Sequence, residues 1–456
     1  MIRRRQILQL LSALSLGLDI RPVRAACLSD KEKLSIIIVG AGLAGLAAAR
    51  RLVAEGHHVV ILEGRDRIGG RLWTSTKWAE LPVDLGASWI HGTTGNPLTE
   101  LAKSAQAQTL ATSYEKSITF ASNGNELTAD QQRALARLQK RFREALKSAQ
   151  AEEDDQSVRD VVDDLVDELQ ATDESVRLLN FIVSSEIEQE YAGSAERLSA
   201  HWYDSAKSFG GEDVLFAEGF RVITDSLALD LEIKTEQVVQ RIHWEEEPAR
   251  IVTSRSEFTA DLVLVTLPLG VLKAGSVTFV PELPAATQQA ISGLEMGVLN
   301  KCYLKFAKAF WPNDIDWMEY IPEQHGEWTE WVSLLRTTGQ PILLGFNAGD
   351  RGREIESWTD PEIVASAMET LRKLFGNQIP APIDFQITRW ASDPLACGSY
   401  SFNPVGAKPA LRGQLAAPLN GTLFFAGEAT DRDYFGTAHG AYLSGIRAAD
   451  QMLEAD

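Results

Sequence analysis

The sequence predicts an α/β protein in which a discontinuous, Rossmann-like dinucleotide-binding domain is joined to an α+β domain, and three observations carry that expectation. An apolar run, residues 35–39, leads into the glycine turn Gly40-Ala41-Gly42-Leu43-Ala44-Gly45 and then into Leu43, Leu46, Ala47 and Leu52 at helical spacing. A second apolar run, 58–62, follows Gly56 and ends at Glu63. Similar runs return far along the chain, at 262–266 and 423–427. Short, continuously apolar runs bounded by turns suit strands buried on both faces, and two of them around a helix make a parallel βαβ unit.

Between these runs the periodicity changes. Residues 96–215 read as a mainly α insertion, with Leu135, Leu138, Phe142, Ala145 and Leu146 on one helical face. Strand-like stretches follow at 238–242 and 250–254 around a polar turn, and residues 276–395 hold a further strand run, 302–306, in a second β-containing segment. Residues 438–453 regain helical spacing. The expected organisation is a dinucleotide domain of 30–95, 216–275 and 396–456, and a substrate domain of 96–215 and 276–395.

Composition narrows the function classes. With 63 acidic against 44 basic residues the net charge is −19, which argues against nucleic acid as a partner and is compatible with steering small cations. No run reaches the about 18 to 20 apolar residues a membrane span needs. Three cysteines form neither a disulfide framework nor a metal-ligand spacing, so no metal is expected. Residues 1–25 resemble an export signal of the twin-arginine kind: Arg3, Arg4 and Arg5 precede an apolar run that closes on Val23-Arg24-Ala25. That reading implies a periplasmic or extracellular location, the competing one a basic helix of a cytoplasmic protein.

The glycine turn carries its own chemistry. Gly40, Gly42 and Gly45 permit a tight turn and a close backbone approach to a pyrophosphate. The N-H groups of a helix starting at Leu43 and Ala44 face that anion, and Glu63 is placed to accept the ribose hydroxyls. The turn alone leaves NAD and FAD open.

The residues that follow decide between them. Glu63-Gly64-Arg65-Asp66-Arg67-Ile68-Gly69-Gly70-Arg71 resembles the extended fingerprint of the flavin-containing amine oxidase superfamily. Four further blocks resemble its polyamine oxidases, of the spermine and spermidine oxidase kind: Asp84 to Gly92, Gly297 to Phe306, Arg389 to Phe402, and Phe424 to Ala441. The resemblance implies non-covalent FAD, since Ser399 stands where monoamine oxidases carry a flavin-linked cysteine and Cys397 is out of register. It implies that Gly70 and Arg71 meet the pyrophosphate, that the backbone of Gly86, Ala87, Ser88 and Trp89 passes the flavin, and that Val238 and Trp390 contact it. Gly427 and Glu428 are implied to meet its sugar-like chain, Thr437 and Ala438 its pyrimidine edge.

On the substrate side it implies His91 and Tyr400 along a tunnel, Thr437 in place of a second aromatic wall, Glu190 as a counter-charge (with Glu186 and Glu188 as other candidates), and Lys301 holding a water against flavin N5. The implied reaction is oxidation of a polyamine carbon-nitrogen bond with dioxygen as acceptor, giving an aldehyde, a shorter amine and hydrogen peroxide. An L-amino-acid oxidase would need an arginine for the substrate carboxylate, and no arginine is assigned to that task. Two more functions compete with these: a dehydrogenase that passes electrons to a quinone, and a flavin-bearing scaffold that catalyses nothing.

Overall fold

The computed structural model describes residues 33–455, so the expected export signal and Cys27 lie outside the described residues. Its first sheet has five parallel strands in the order Leu423–Phe425, Leu262–Val265, Ser35–Val39, His58–Leu62 and Glu232–Lys234. Chain order reverses direction on either side of Ser35–Val39, which opens a crevice at the carboxyl ends of the strands.

Both faces of this sheet are covered, as its all-apolar strands require. On one face lie the first helix, Leu43–Ala54, and the C-terminal helix, Ala438–Ala455. The two helices approach so closely that a Cβ on Gly445 would sit 2.2 Å from the Ala44 carbonyl oxygen. On the other face Val39, Val60 and Val265 pack against Val239, Ile242 and Ile251 of a four-stranded sheet. The strand Thr278–Val280 pairs with Arg241–His243 in that sheet, which therefore runs past residue 275.

The second large sheet has six strands, ordered Asp384–Ile387, Leu299–Lys305, Ile342–Ala348, Glu330–Ser333, Trp317–Tyr320 and Ser117–Phe120. Helix Asp360–Phe375 covers one face. The other face presents Tyr303, Trp317, Val332, Leu344 and Phe346 to Trp78, Leu85 and Trp89 of the segment that follows the glycine-rich turns. Helices Ala129–Ala149, Val158–Leu169 and Asp173–Ile182 pack around Phe142, Val162, Leu165 and Leu179. The segment read as mainly helical also supplies strands Thr109–Thr112 and Ser117–Phe120, whose short, partly polar runs carry no strand signal of their own. Among the described residues no helix is long and apolar enough to cross a membrane, and no group of three His, Cys, Asp or Glu residues is arranged to hold a metal.

Candidate functional site

A cavity of about 500 Å³ lies where the inner face of the six-stranded sheet meets the carboxyl ends of the parallel sheet. The structure brings to it every site residue expected from the sequence except Gly45. Gly45 instead closes the turn: a Cβ there would lie 2.1 Å from the Gly40 carbonyl oxygen. Gly45 is thus a packing glycine, a correction to its expected contact with the cofactor.

At one end the lining is a dinucleotide cradle. Gly40 takes a positive φ of 108°, and around Gly42 an added Cβ would meet nothing within 4 Å, so the backbone is open to a ligand on that side. The first helix begins with no side-chain cap and no acidic residue in its first turn, so its N-H groups keep their attraction for an anion. Glu63 is buried at the end of its strand and accepts the N-H groups of Ala41 (2.8 Å) and Arg65 (2.9 Å), one on each carboxylate oxygen. A carboxylate has about four acceptor positions, so ribose hydroxyls can still be accommodated. Val238 stands beside Gly64, 3.5 Å from where its Cβ would be.

Arg71 and Glu428 are paired with each other at 2.9 Å. Arg71 also donates to the Ser399 carbonyl at 2.8 Å, and the second Glu428 oxygen accepts from Ser401 Oγ (2.6 Å) and Gly436 N-H (2.9 Å). Burial opposes the charge on Glu428, but Arg71, Ser401 and Arg412 hold its carboxyl below the usual range. Arg412, which no sequence pattern singles out, is fully buried; it donates to Ser401 Oγ and Asn403 Oδ1 and stacks over Phe435, 3.8 Å to the ring centre. Gly427 has a φ of 124° and donates to Ser444 Oγ. Thr437 caps the C-terminal helix by accepting the Gly440 N-H at 2.9 Å, which leaves the Ala438 end of the helix facing the cavity.

In the middle the segment Asp84–Trp89 runs along the cavity, fastened by Lys301. The Lys301 ammonium, buried on the six-stranded sheet, donates to the carbonyls of Asp84 (2.8 Å) and Gly86 (2.6 Å) and to Ser88 Oγ (2.5 Å). An ammonium has three donors, and the protein accepts all of them. No N-H is left over for the water that the resemblance implied, so the geometry makes Lys301 the clamp of this segment. Burial pushes Lys301 down and the neighbouring Asp84 carboxyl up. The segment is tight: a Cβ on Gly86 would lie 1.6 Å from the Arg71 carbonyl oxygen, and Ala87 N-H donates to that same oxygen. Trp390 is buried and donates to the Leu85 carbonyl at 3.2 Å.

The far end is aromatic and acidic. Trp89, Trp317 and Phe346 form one wall, with Tyr114 stacked on Trp317 at 4.1 Å between ring centres. His91 stacks on Trp89 and holds Asp213 through Nδ1 at 3.3 Å. Its open surface faces the cavity interior, where burial opposes protonation; Asp213 and Glu190 more than offset that and raise it. Tyr400 is half-buried and donates to the Gln189 carbonyl at 2.8 Å. Glu190 faces the cavity, whereas Glu186 is taken by Arg143 and Glu188 by His325 and the Ala195 N-H.

Two further lining residues have no role assigned from the sequence, although His439 falls inside the block Phe424 to Ala441. His439, in the first turn of the C-terminal helix, sits edge-on to the stacked rings of Phe209 and Tyr434 with Nε2 unpaired among the described residues, and burial followed by the charge of His91 lowers it to about 4. Glu330 is 7% exposed, and among the described residues its carboxylate has no hydrogen-bond or ion-pair partner. Its strand, Glu330–Ser333, is buried throughout and shows no alternation, so pairing with Trp317–Tyr320 and Ile342–Ala348 fixes which face it occupies.

Comparison with known proteins agrees with this geometry. The family model "flavin containing amine oxidoreductase" matches residues 43–453. The chain is 32% identical over 448 residues to Polyamine oxidase 2 of Arabidopsis thaliana, covering 94% of this chain and 90% of that protein. It is 31% identical to Polyamine oxidase 4 of Oryza sativa subsp. japonica, with 95% and 91% covered. It is also 36% identical over 451 residues to Lysine-specific histone demethylase 1 homolog 1 of the same rice, covering 92% of this chain but 52% of that protein.

Proposed function

The chain belongs to the flavin-containing amine oxidoreductases, with FAD as its cofactor, and from that premise we propose that it oxidises polyamines of the spermidine and spermine class. The reaction is oxidation of a carbon-nitrogen bond to an imine, which water hydrolyses to an aldehyde and a shorter amine while dioxygen is reduced to hydrogen peroxide. The observation that carries this reading is a single cavity running from the dinucleotide cradle to an aromatic, acidic end.

The residues present suit FAD. The uncapped first helix and the open side of Gly42 would receive the pyrophosphate, Glu63 the ribose, and the Ala438 end of the C-terminal helix a partial negative charge. When bound, FAD supplies the two-electron acceptor that the side chains lack. The protein's own part is positioning: Lys301 holds the backbone of Asp84–Ser88, Trp390 supports it from Leu85, and Tyr400 and His91 flank the path of the amine. The charge of the far end suits a cation. The arginines lining the cavity, Arg65 and Arg71, sit at the cradle and are paired with Asp393 and Glu428, so none of them is available to clamp an amino-acid carboxylate.

The demethylase relative supports a second reading, oxidation of a methylated lysine side chain. Polyamine oxidases are matched over about nine-tenths of their length and that demethylase over 52%, which favours the small substrate. Aerobic assay of the holoenzyme with spermidine, spermine, their acetylated forms, L-amino acids and a dimethyl-lysine peptide tests the choice. Peroxide with an aldehyde and a shorter amine from a polyamine is the expected result; formaldehyde from the peptide alone would overturn it.

A further inference from the structure

Glu330 is a buried carboxylate that the fold leaves without a partner on the wall of the cavity. It sits on the cavity face of the six-stranded sheet, directly opposite Glu319 across the antiparallel pair, with Trp317 and Phe346 lining the same region. Glu319 is accounted for: its carboxylate accepts from Thr119 Oγ1 at 2.6 Å. Glu330 accepts from nothing, and no lysine or arginine pairs with it among the described residues. It is 7% exposed, and as a lining residue it turns what surface it retains toward the cavity. An unpaired buried carboxylate costs stability, and native structures retain such groups chiefly where a ligand satisfies them.

From this we infer that Glu330 is the counter-charge for a second ammonium of the substrate, one remote from the bond being oxidised. The inference rests on the cationic-substrate proposal and deepens it. The surroundings fit an alkylammonium better than a water or a metal ion. Trp317, Phe346 and Tyr114 supply ring faces for a methylene chain and its charged end, and Glu190 lies close enough to add to the negative field. The charged and titratable groups that act on Glu330 come from every packed element: Glu319 on the neighbouring strand, Glu186 and Glu190 on the helical segment, and Tyr114 on the loop above. None of them is a cation. Burial first, and then these carboxylates, hold Glu330 well above the usual carboxylate range, a shift that an arriving ammonium opposes.

The test compares 1,8-diaminooctane with n-octylamine, two ligands that differ only in the second ammonium, on wild-type holoenzyme and on Glu330→Gln. Dissociation constants come from perturbation of the flavin absorbance under anaerobic conditions, and steady-state kinetics with spermine are measured alongside. Loss of one charge-assisted contact predicts about a tenfold or greater weakening of the diamine relative to the monoamine. The spermine KM should rise by a similar factor while kcat changes less. Equal weakening of both ligands, or unchanged diamine binding in a variant that keeps its flavin, overturns the assignment. If wild-type enzyme turns over no polyamine yet prefers the diamine through Glu330, the subsite stands and the proposed activity falls; if polyamines are oxidised equally well by both proteins, the activity stands and the subsite falls.

Discussion

The two ends of the cavity treat buried polar groups in opposite ways. At the cradle, both oxygens of Glu63 accept backbone N-H groups, Glu428 is matched by Arg71, Ser401 and Gly436, and Arg65 is matched by Asp393. At the far end Glu330 accepts nothing, faces Glu319 across the strand pair, and His439 Nε2 is buried without a partner. A satisfied network is rigid and specifies one geometry, whereas an unsatisfied one is a demand that a ligand can meet. The cradle is therefore built to hold one fixed molecule, and the far end is built to gain from a charged, exchanging one.

Four substitutions probe that contrast, in descending order of consequence. Gly86→Ala forces a methyl into the Arg71 carbonyl 1.6 Å away, so the protein should emerge colourless or insoluble, read as flavin absorbance per polypeptide. A normal flavin content would mean that the backbone beside the cradle yields easily. Lys301→Met removes the three donors that reach Asp84, Gly86 and Ser88, leaving the Asp84 carbonyl to Tyr303 Oη alone among strong donors, at 2.8 Å. Misplacing a positioning segment by about 1 Å costs about a hundredfold, so anaerobic flavin reduction should slow by that order with FAD still bound. An unchanged rate would show that the segment holds its place without the clamp.

Glu330→Gln reverses the usual sign and should stabilise the fold. Its folded carboxyl lies above the unfolded value, so the native chain binds more protons through that range and loses stability as pH rises across it. The variant should melt higher than wild type at pH 8, and the advantage should shrink as pH falls and vanish only below the ordinary carboxylate range, as followed by thermal scans without substrate. A gain of about 1 kcal/mol would move the midpoint by a degree or more in a chain of this size. A lower midpoint at pH 8 would indicate that the carboxylate has a partner after all. Tyr400→Phe deletes one hydrogen bond to the Gln189 carbonyl and should lower kcat/KM by roughly two- to tenfold, the worth of about 0.5 to 1.5 kcal/mol.

The same contrast explains what is legible in the sequence. The first part of the cradle is local: a turn, a helix start and an acidic residue lie within Gly40–Glu63, and their chemistry is written close together in the chain. Gly45 departs from its expected role because the pattern that identifies the turn does not distinguish a glycine that meets a ligand from one that meets the Gly40 carbonyl. Lys301 stands out as a costly lysine in an apolar strand, but its acceptors lie more than two hundred residues earlier in the chain, where no local pattern counts them. The far end depends on tertiary register. Glu330 reaches the cavity through pairing of its strand with Trp317–Tyr320 and Ile342–Ala348. The acidic helix is ambiguous in sequence because Val183–Glu188 is π-helical, and its wider turn shifts every later face relative to an α-helical reading. That is why Glu186 and Glu188 end on Arg143 and His325 while Glu190 turns inward.

Whether cradle and far end serve one reaction is decided by a single anaerobic turnover: holoenzyme mixed rapidly with excess spermine while the flavin bands are followed. Rapid, complete bleaching, with one aldehyde formed per flavin while air is excluded, is the result this structure predicts. A protein that keeps its yellow colour with spermine and spermidine alike, while binding FAD at full stoichiometry, would contradict it.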